Sequence, residues 1–239
     1  MSFHLGTWLL DLLFPPRCVF CQKLLKQGET GFCSHCQTEL PWIMGQAAEQ
    51  KPEFISLCAS PLWFQGEVRE SIHRYKFVDR SCYAATYARL MAQCVSDHLA
   101  DRFDLISWAP LSAKSLKKRG YDQAELLAKG IAQELGVDAL RTLRKVRNTR
   151  VQSGLTEDAE RRANVLGAYA ITETAQIEGK RILLVDDVIT TGSTLSECAR
   201  MLRTYGASDV VCVTLARARG KTSGEKGRKS NFRDAISGK

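Results

Sequence analysis

The chain has 239 residues, 44% of them hydrophobic and 25% charged, which suits one large domain or one medium domain with a small attachment. The formal net charge is +8, but the residues after Ala216 carry +6 of it, so the body is close to neutral and charge alone does not make this a nucleic-acid-binding domain. No run is apolar for long enough to span a membrane, which excludes stable membrane insertion. Asp11 breaks the short apolar run near the start, and no basic stretch precedes it, so a secretory signal is not expected and the expected location is cytoplasmic. In that compartment the nine cysteines point to reduced thiols and metal binding, not to disulfides.

In chain order, Leu5, Trp8, Leu9, Leu12 and Leu13 form an amphipathic helical stripe stopped by Pro15 and Pro16. The stripe has no basic face, so docking on the protein body is the expectation. Cys18, Cys21, Cys33 and Cys36 follow as two Cys-x-x-Cys pairs. Each pair offers two thiolates from one tight knuckle, and two knuckles complete a closed tetrahedral Zn²⁺ site. Rubredoxin-like iron is the other chemistry such a set permits. A closed four-thiolate site has no open position for water, so its metal is structural and supplies roughly 10 kcal/mol or more to a segment too small to have its own core.

Residues 41–56 read as a linker and residues 57–64 as a strand or an extended entry into the main domain. Residues 66–77 read as a helix with Val68, Ile72 and Tyr75 on one face. Lys76 lies in its last turn, where it either complements the helix dipole or reaches a phosphate. A second helix over 83–99 packs through Met91, Cys94, Val95 and His98. Residues 103–109 read as a strand, and a basic loop with Lys114, Lys117, Lys118 and Arg119 follows. Asp122 and Glu125 have the form of a capping box for a helix over 123–135 that buries Leu127 and Ile131. Strands are expected over 140–146 and 165–171. The polar connection 147–164 between them, carrying Arg147, Arg150, Arg161 and Arg162, is long enough to suggest a functional loop.

The most informative stretch is 181–195. Its apolar run Ile182, Leu183, Leu184 and Val185 reads as a strand buried on both faces of a parallel sheet. Asp186 and Asp187 follow at the strand's end, then Thr190, Thr191, Gly192, Ser193 and Thr194, then a helical stripe of Leu195, Cys198, Ala199 and Leu202 that ends at Gly206. Hydroxyls and backbone N–H groups at a helix start hold an anion, and Gly192 permits close approach. Paired acids cannot bind that same phosphate and must face hydroxyls or a cation. The combination suits a sugar phosphate. A Mg²⁺ or receiver-type acidic site would explain the acids alone, and no Gly-Lys-Ser/Thr is present to make a Walker loop.

This loop resembles the phosphoribosyl-diphosphate loop of type I phosphoribosyltransferases. The wider order narrows the resemblance: two Cys-x-x-Cys pairs, His73-Arg-Tyr-Lys-Phe77, Arg119-Gly-Tyr-Asp-Gln123, Arg150-Val-Gln152 with Arg161-Arg162-Ala-Asn164, then the acidic loop. That order is similar to the ComF/ComFC family of competence proteins, shared by GntX-type proteins, over about residues 15–217. Asp122 stands where the family usually has Asn, and Trp108-Ala-Pro110 where many relatives have Pro-Val-Pro.

The resemblance implies an α/β fold: a mostly parallel phosphoribosyltransferase-like sheet flanked by helices, with a small four-Cys zinc module. The expected boundaries are 1–44 for the N-terminal helix and zinc module, 45–56 for the linker, 57–217 for the phosphoribosyltransferase-like domain and, from its charge and outside the resemblance, 218–239 for a basic, disordered tail. It implies binding of 5-phosphoribosyl diphosphate with Mg²⁺, and phosphoribosyltransferase activity in which Asp186 and Asp187 fix the ribose. Thr190, Thr191, Gly192, Ser193 and Thr194 would hold the 5-phosphate, and Lys76, Arg119, Arg150 and Arg161 the diphosphate. The implied role is natural transformation, with single-stranded DNA and other competence proteins as partners. Two other readings stay open: a non-catalytic adaptor on this scaffold, and ordinary nucleobase salvage. No residue identifies the acceptor.

Overall fold

The computed structural model describes residues 15–147, 165–172 and 175–219. Its centre is a sheet in the order β1 (Glu49–Gln50), β2 (Leu57–Ala59), β8 (Asp209–Arg217), β7 (Arg181–Ile189), β4 (Leu105–Trp108), with β3 (Leu62–Trp63) also pairing with β8. β2, β3 and β7 run parallel to β8, β4 runs parallel to β7, and only β1 is antiparallel to its neighbour. The C-terminal ends of the parallel strands therefore share one edge, where open α/β sheets bind ligands.

Alternation along the strands sorts side chains onto two faces. Leu183 and Val185 of β7, with Val211 and Val213 of β8, join a core shared with helices α2 (Gly66–Phe77), α3 (Ala84–His98) and α5 (Gln123–Leu135). Ile182, Leu184, Val210 and Cys212 face the other way, against Leu195, Cys198, Ala199 and Leu202 of α6 (Ser193–Thr204). The expected helical stripe of α6 is thus its buried face, and Gly206 follows it with φ +101°. In α3, Met91, Cys94 and Val95 are buried, while His98 Nδ1 lies 3.0 Å from Glu49 Oε1.

Several elements differ from the sequence expectation. The strand expected over 57–64 is broken into β2 and β3, because Ser60 and Pro61 interrupt it. The expected linker contributes the short edge strand β1 and a 3₁₀ turn at Gly45–Ala48. The basic segment after β4 is a helix, α4 (Ala113–Arg119), capped by Ser112 Oγ at its start and closed by Gly120 at φ +81°. β5 (Leu143–Lys145) and β6 (Tyr169–Ile171) are shorter than expected and form a separate antiparallel pair. The N-terminal stripe, Arg150, Arg161, most of the connection 147–164 and the tail from residue 220 lie outside the described residues.

The zinc module is fused to the α2/α3 side. Cys18, Val19, Phe20, Cys33, Cys36 and Leu40 belong to the same core as Ile72, Tyr75 and Tyr87. The Phe20 and Tyr87 rings lie 5.9 Å apart, and the Ser71 hydroxyl donates to the Val19 carbonyl. Arg74 Nη2 donates to the carbonyls of Val19, at 3.2 Å, and Phe20. The knuckle backbone therefore anchors α2, the helix that ends beside Lys76.

Candidate functional site

The four cysteine sulfurs lie within 4.8 Å of one another, with Cys18 to Cys36 and Cys21 to Cys33 both at 3.6 Å. A tetrahedral ion with Zn–S bonds of about 2.3 Å needs S···S separations of about 3.8 Å, so the set fits Zn²⁺. Cys33 also starts α1 (Ser34–Glu39), its sulfur accepting from the Cys36 N–H at 3.5 Å. One knuckle is thus a helix start, which positions two ligands from a single turn.

At the C-terminal edge of the sheet lies a cavity of about 330 Å³. Asp186, Asp187, Thr190 and Thr194 reach it from β7 and the start of α6, and Lys76 and Arg119 from α2 and α4. Ala109, Pro110 and Leu111 line it after β4, and Lys145 and Tyr169 come from the β5–β6 pair. Six of the residues singled out in the sequence therefore share one cavity. Thr191 and Ser193 do not line it. Their hydroxyls, 2.7 Å apart, face a neighbouring cavity of about 470 Å³ with Phe54, Glu197 and Arg200. Gly192, at φ +78°, separates the two as the residue before α6, and a Cβ there would meet Pro52 Cβ at 3.4 Å.

The strand read over Ile182–Val185, with the acids at its end, runs on to Ile189. β7 continues through both, with Asp186 opposite Thr214 and Val188 opposite Ala216 of β8. The cause is β8, which is long enough to keep pairing past Val185. Strand alternation turns the two carboxylates in opposite directions. Asp187 is buried and bonded to Lys76 Nζ at 2.7 Å, so Lys76 serves an acid in this structure instead of standing free for a phosphate. Asp186 Oδ1 accepts the Asp187 N–H at 2.8 Å. Burial, and then the charge of Asp187, push the Asp186 carboxyl up to about 7, against the pull of Lys76.

Asp122 links the cavity wall to the helix behind it. One carboxylate oxygen accepts the Ala124 N–H at 3.1 Å and the Glu125 N–H at 3.4 Å, capping α5, and the other accepts the Leu111 N–H at 2.8 Å. Glu125 pairs with Lys129 at 2.7 Å. Burial raises the Asp122 carboxyl above its ordinary range. Arg119 donates to Gln123 Oε1 at 2.7 Å and lies 4.9 Å over the Phe77 ring.

Lys145 and Tyr169 were missed by the sequence reading. Lys145 Nζ lies 5.2 Å over the Tyr169 ring, and Thr194 lines the same cavity. Burial lowers the Lys145 ammonium from its usual range and raises the Tyr169 phenol. A signal was present: alternation in β5 sets Lys145 on the same side as buried Leu143, and an inward-facing lysine in a strand needs a reason.

Residues 122–234 match the family model for a phosphoribosyl transferase domain, and residues 9–50 match a double zinc ribbon domain. Within 9–50 there are four cysteines, the ligands of a single closed site. Competence protein F of Haemophilus influenzae is 31% identical over 210 residues, covering 84% of this chain and 90% of that protein. DNA utilization protein YhgH of Salmonella typhi is 30% identical, covering 86% of this chain and 99% of that protein. Competence protein ComFC of Streptococcus pneumoniae is 26% identical over 81% of this chain and 91% of its own. Among solved structures, the glutamine phosphoribosylpyrophosphate amidotransferase of B. subtilis is 22% identical and aligns with a TM-score of 0.40 over 59% of this chain and 30% of that one.

Proposed function

The chain belongs to the competence protein F family, with a phosphoribosyl transferase domain of α/β fold and a four-cysteine zinc ribbon, and on that premise we propose that it binds 5-phosphoribosyl diphosphate and transfers the phosphoribosyl group. The observation that carries this reading is the single cavity in which Asp186 and Asp187 meet Thr190, Thr194, Lys76, Arg119 and Lys145. Carboxylates there suit ribose hydroxyls, the loop before α6 suits the 5-phosphate, and the cations suit the diphosphate. Thr191, Gly192 and Ser193 would hold the phosphate through backbone N–H groups, since the Thr191 and Ser193 hydroxyls are turned elsewhere. Arg150 and Arg161 remain candidates for the diphosphate end.

In this reading the bond from the anomeric carbon to diphosphate breaks through an oxocarbenium-like state. Asp186 and Asp187 hold the ribose and favour its growing positive charge. Arg119 faces the leaving group, and the Leu111 N–H stays committed to Asp122, fixing the wall behind it. Mg²⁺ would neutralise the diphosphate. Among the described residues the carboxylates lining the cavity are Asp186 and Asp187, and Asp187 already carries Lys76, so the ion would arrive with its phosphates.

The biological setting in this reading is natural transformation, with incoming single-stranded DNA handled in the cytoplasm. Among the described residues no helix is long and apolar enough to cross a membrane. Exposed Lys114, Lys117 and Lys118 on α4 beside exposed Phe77 favour a second reading, direct contact with DNA, which would weaken steeply with salt. The test of the first reading is release of diphosphate from 5-phosphoribosyl diphosphate in Mg²⁺ by the full, zinc-loaded chain. Release that depends on Asp186 and Asp187 is expected. Release no faster than buffer, with every acceptor class tried, would leave a binding protein only.

A further inference from the structure

We infer that Lys145 is a built anion-binding position of this cavity, held over Tyr169 with no ion-pair partner among the described residues, so that its ammonium meets a phosphoryl oxygen of the ligand. The inference rests on the sugar-phosphate reading and adds to it a residue that the sequence motifs do not contain.

Among the described residues three cations line the cavity, and their surroundings differ. Lys76 is neutralised by Asp187 at 2.7 Å. Arg119 donates to Gln123 and stacks on Phe77. Lys145 is partly buried, yet among the described residues no carboxylate oxygen lies within ion-pair distance of its Nζ. Asp186 acts on it only from further away. Its close contact is the face of the Tyr169 ring. A cation taken partly out of water without an anion costs stability. A cation–π contact returns only part of that cost. A lysine serving the fold would have been paired or turned to solvent, as Arg144, its exposed neighbour in β5, is.

The surroundings look prepared for an anion. The Tyr169 ring lies against the ammonium, and Thr194 stands in the first turn of α6, whose start supplies N–H groups. Lys145, Tyr169 and Thr194 all line the same cavity. The shared chemistry is a phosphoryl oxygen, which either end of the sugar phosphate can offer.

The experiment compares wild type, Lys145→Met, Lys145→Arg and the exposed control Lys180→Gln, before the start of β7. Thermal unfolding is followed without ligand and with inorganic phosphate, Mg²⁺-diphosphate, ribose 5-phosphate and 5-phosphoribosyl diphosphate. Lys145→Met is expected to unfold at the same temperature as wild type or higher without ligand, and to bind the phosphorylated ligands at least tenfold more weakly. Lys145→Arg is expected to recover part of the affinity, and Lys180→Gln to match wild type. A loss confined to diphosphate assigns Lys145 to that end, and a loss confined to ribose 5-phosphate assigns it to the other. Lys145→Met binding every ligand within twofold of wild type overturns the inference, as does a marked fall in its ligand-free unfolding temperature, which would make Lys145 structural. If wild type binds no sugar phosphate, the functional reading fails separately. Protection by inorganic phosphate, present in wild type and absent in Lys145→Met, then decides Lys145 alone.

Discussion

Removing zinc from the folded protein is expected to cost more than the ribbon itself. A structural Zn²⁺ contributes roughly 10 kcal/mol or more where the segment has no core of its own. Here Cys18, Phe20, Cys33 and Cys36 are packed into the core that holds α2 and α3 against the sheet. Loss of the knuckle frees the carbonyls of Val19 and Phe20, which bind Arg74 and Ser71, and removes the ring under Tyr87. The helix so loosened is the one that delivers Lys76 to Asp187. A strong chelator, or Cys36→Ser, should therefore lower the unfolding temperature by more than about 10 °C, since each kcal/mol corresponds to about 2–4 °C at this size. Ligand affinity should fall with it. Circular dichroism and calorimetry read both, and an unfolding temperature within about 2 °C of the zinc-loaded protein would mean that the ribbon is an independent attachment.

The second large effect concerns the acids. Hydrogen bonds to charged groups contribute about 1.5–3 kcal/mol each, so losing two such partners of the ribose should weaken binding by about 100-fold or more. The two positions are not equivalent. Asp187→Ala strands the Lys76 ammonium beside a buried site and is expected to destabilise the protein; adding Lys76→Met should restore stability without restoring binding. Asp186→Asn should be well tolerated, because the folded protein already favours a neutral group there. The Asp186 carboxyl sits near 7 when folded and near its ordinary value of 3.8 when unfolded, so the folded state holds the extra proton. Its contribution to stability is present below about pH 4 and is lost as pH rises through about 7, by at most about 1.4 kcal/mol per pH unit. Wild type should therefore lose stability relative to Asp186→Asn across that window. Parallel stability curves for the two proteins would show that Asp186 does not titrate there.

How much of this was legible beforehand depends on what kind of information each residue carries. The strand, acids, loop and helix of 181–204 were readable because period, charge and small hydroxyl residues change in sequence order there. The cysteine spacing was readable for the same reason, since one knuckle carries its own geometry. Lys76 was located but not its partner, because an ion pair between residues 76 and 187 is a tertiary fact. The extension of β7 through both acids depends on the length of β8, which no local pattern in β7 contains. The turning of Thr191 and Ser193 away from Thr190 and Thr194 follows from backbone geometry around Gly192, invisible in a run of similar residues. Lys145 was hidden because a three-residue strand gives too short an alternation to stand out.

The most direct measurement is a calorimetric titration of the full, zinc-loaded chain with 5-phosphoribosyl diphosphate in Mg²⁺, repeated on Asp186→Ala/Asp187→Ala. A single saturable site in wild type that the double variant loses is the result this account predicts. No heat of binding to a folded, zinc-loaded wild type, or equal binding by the variant, would contradict it.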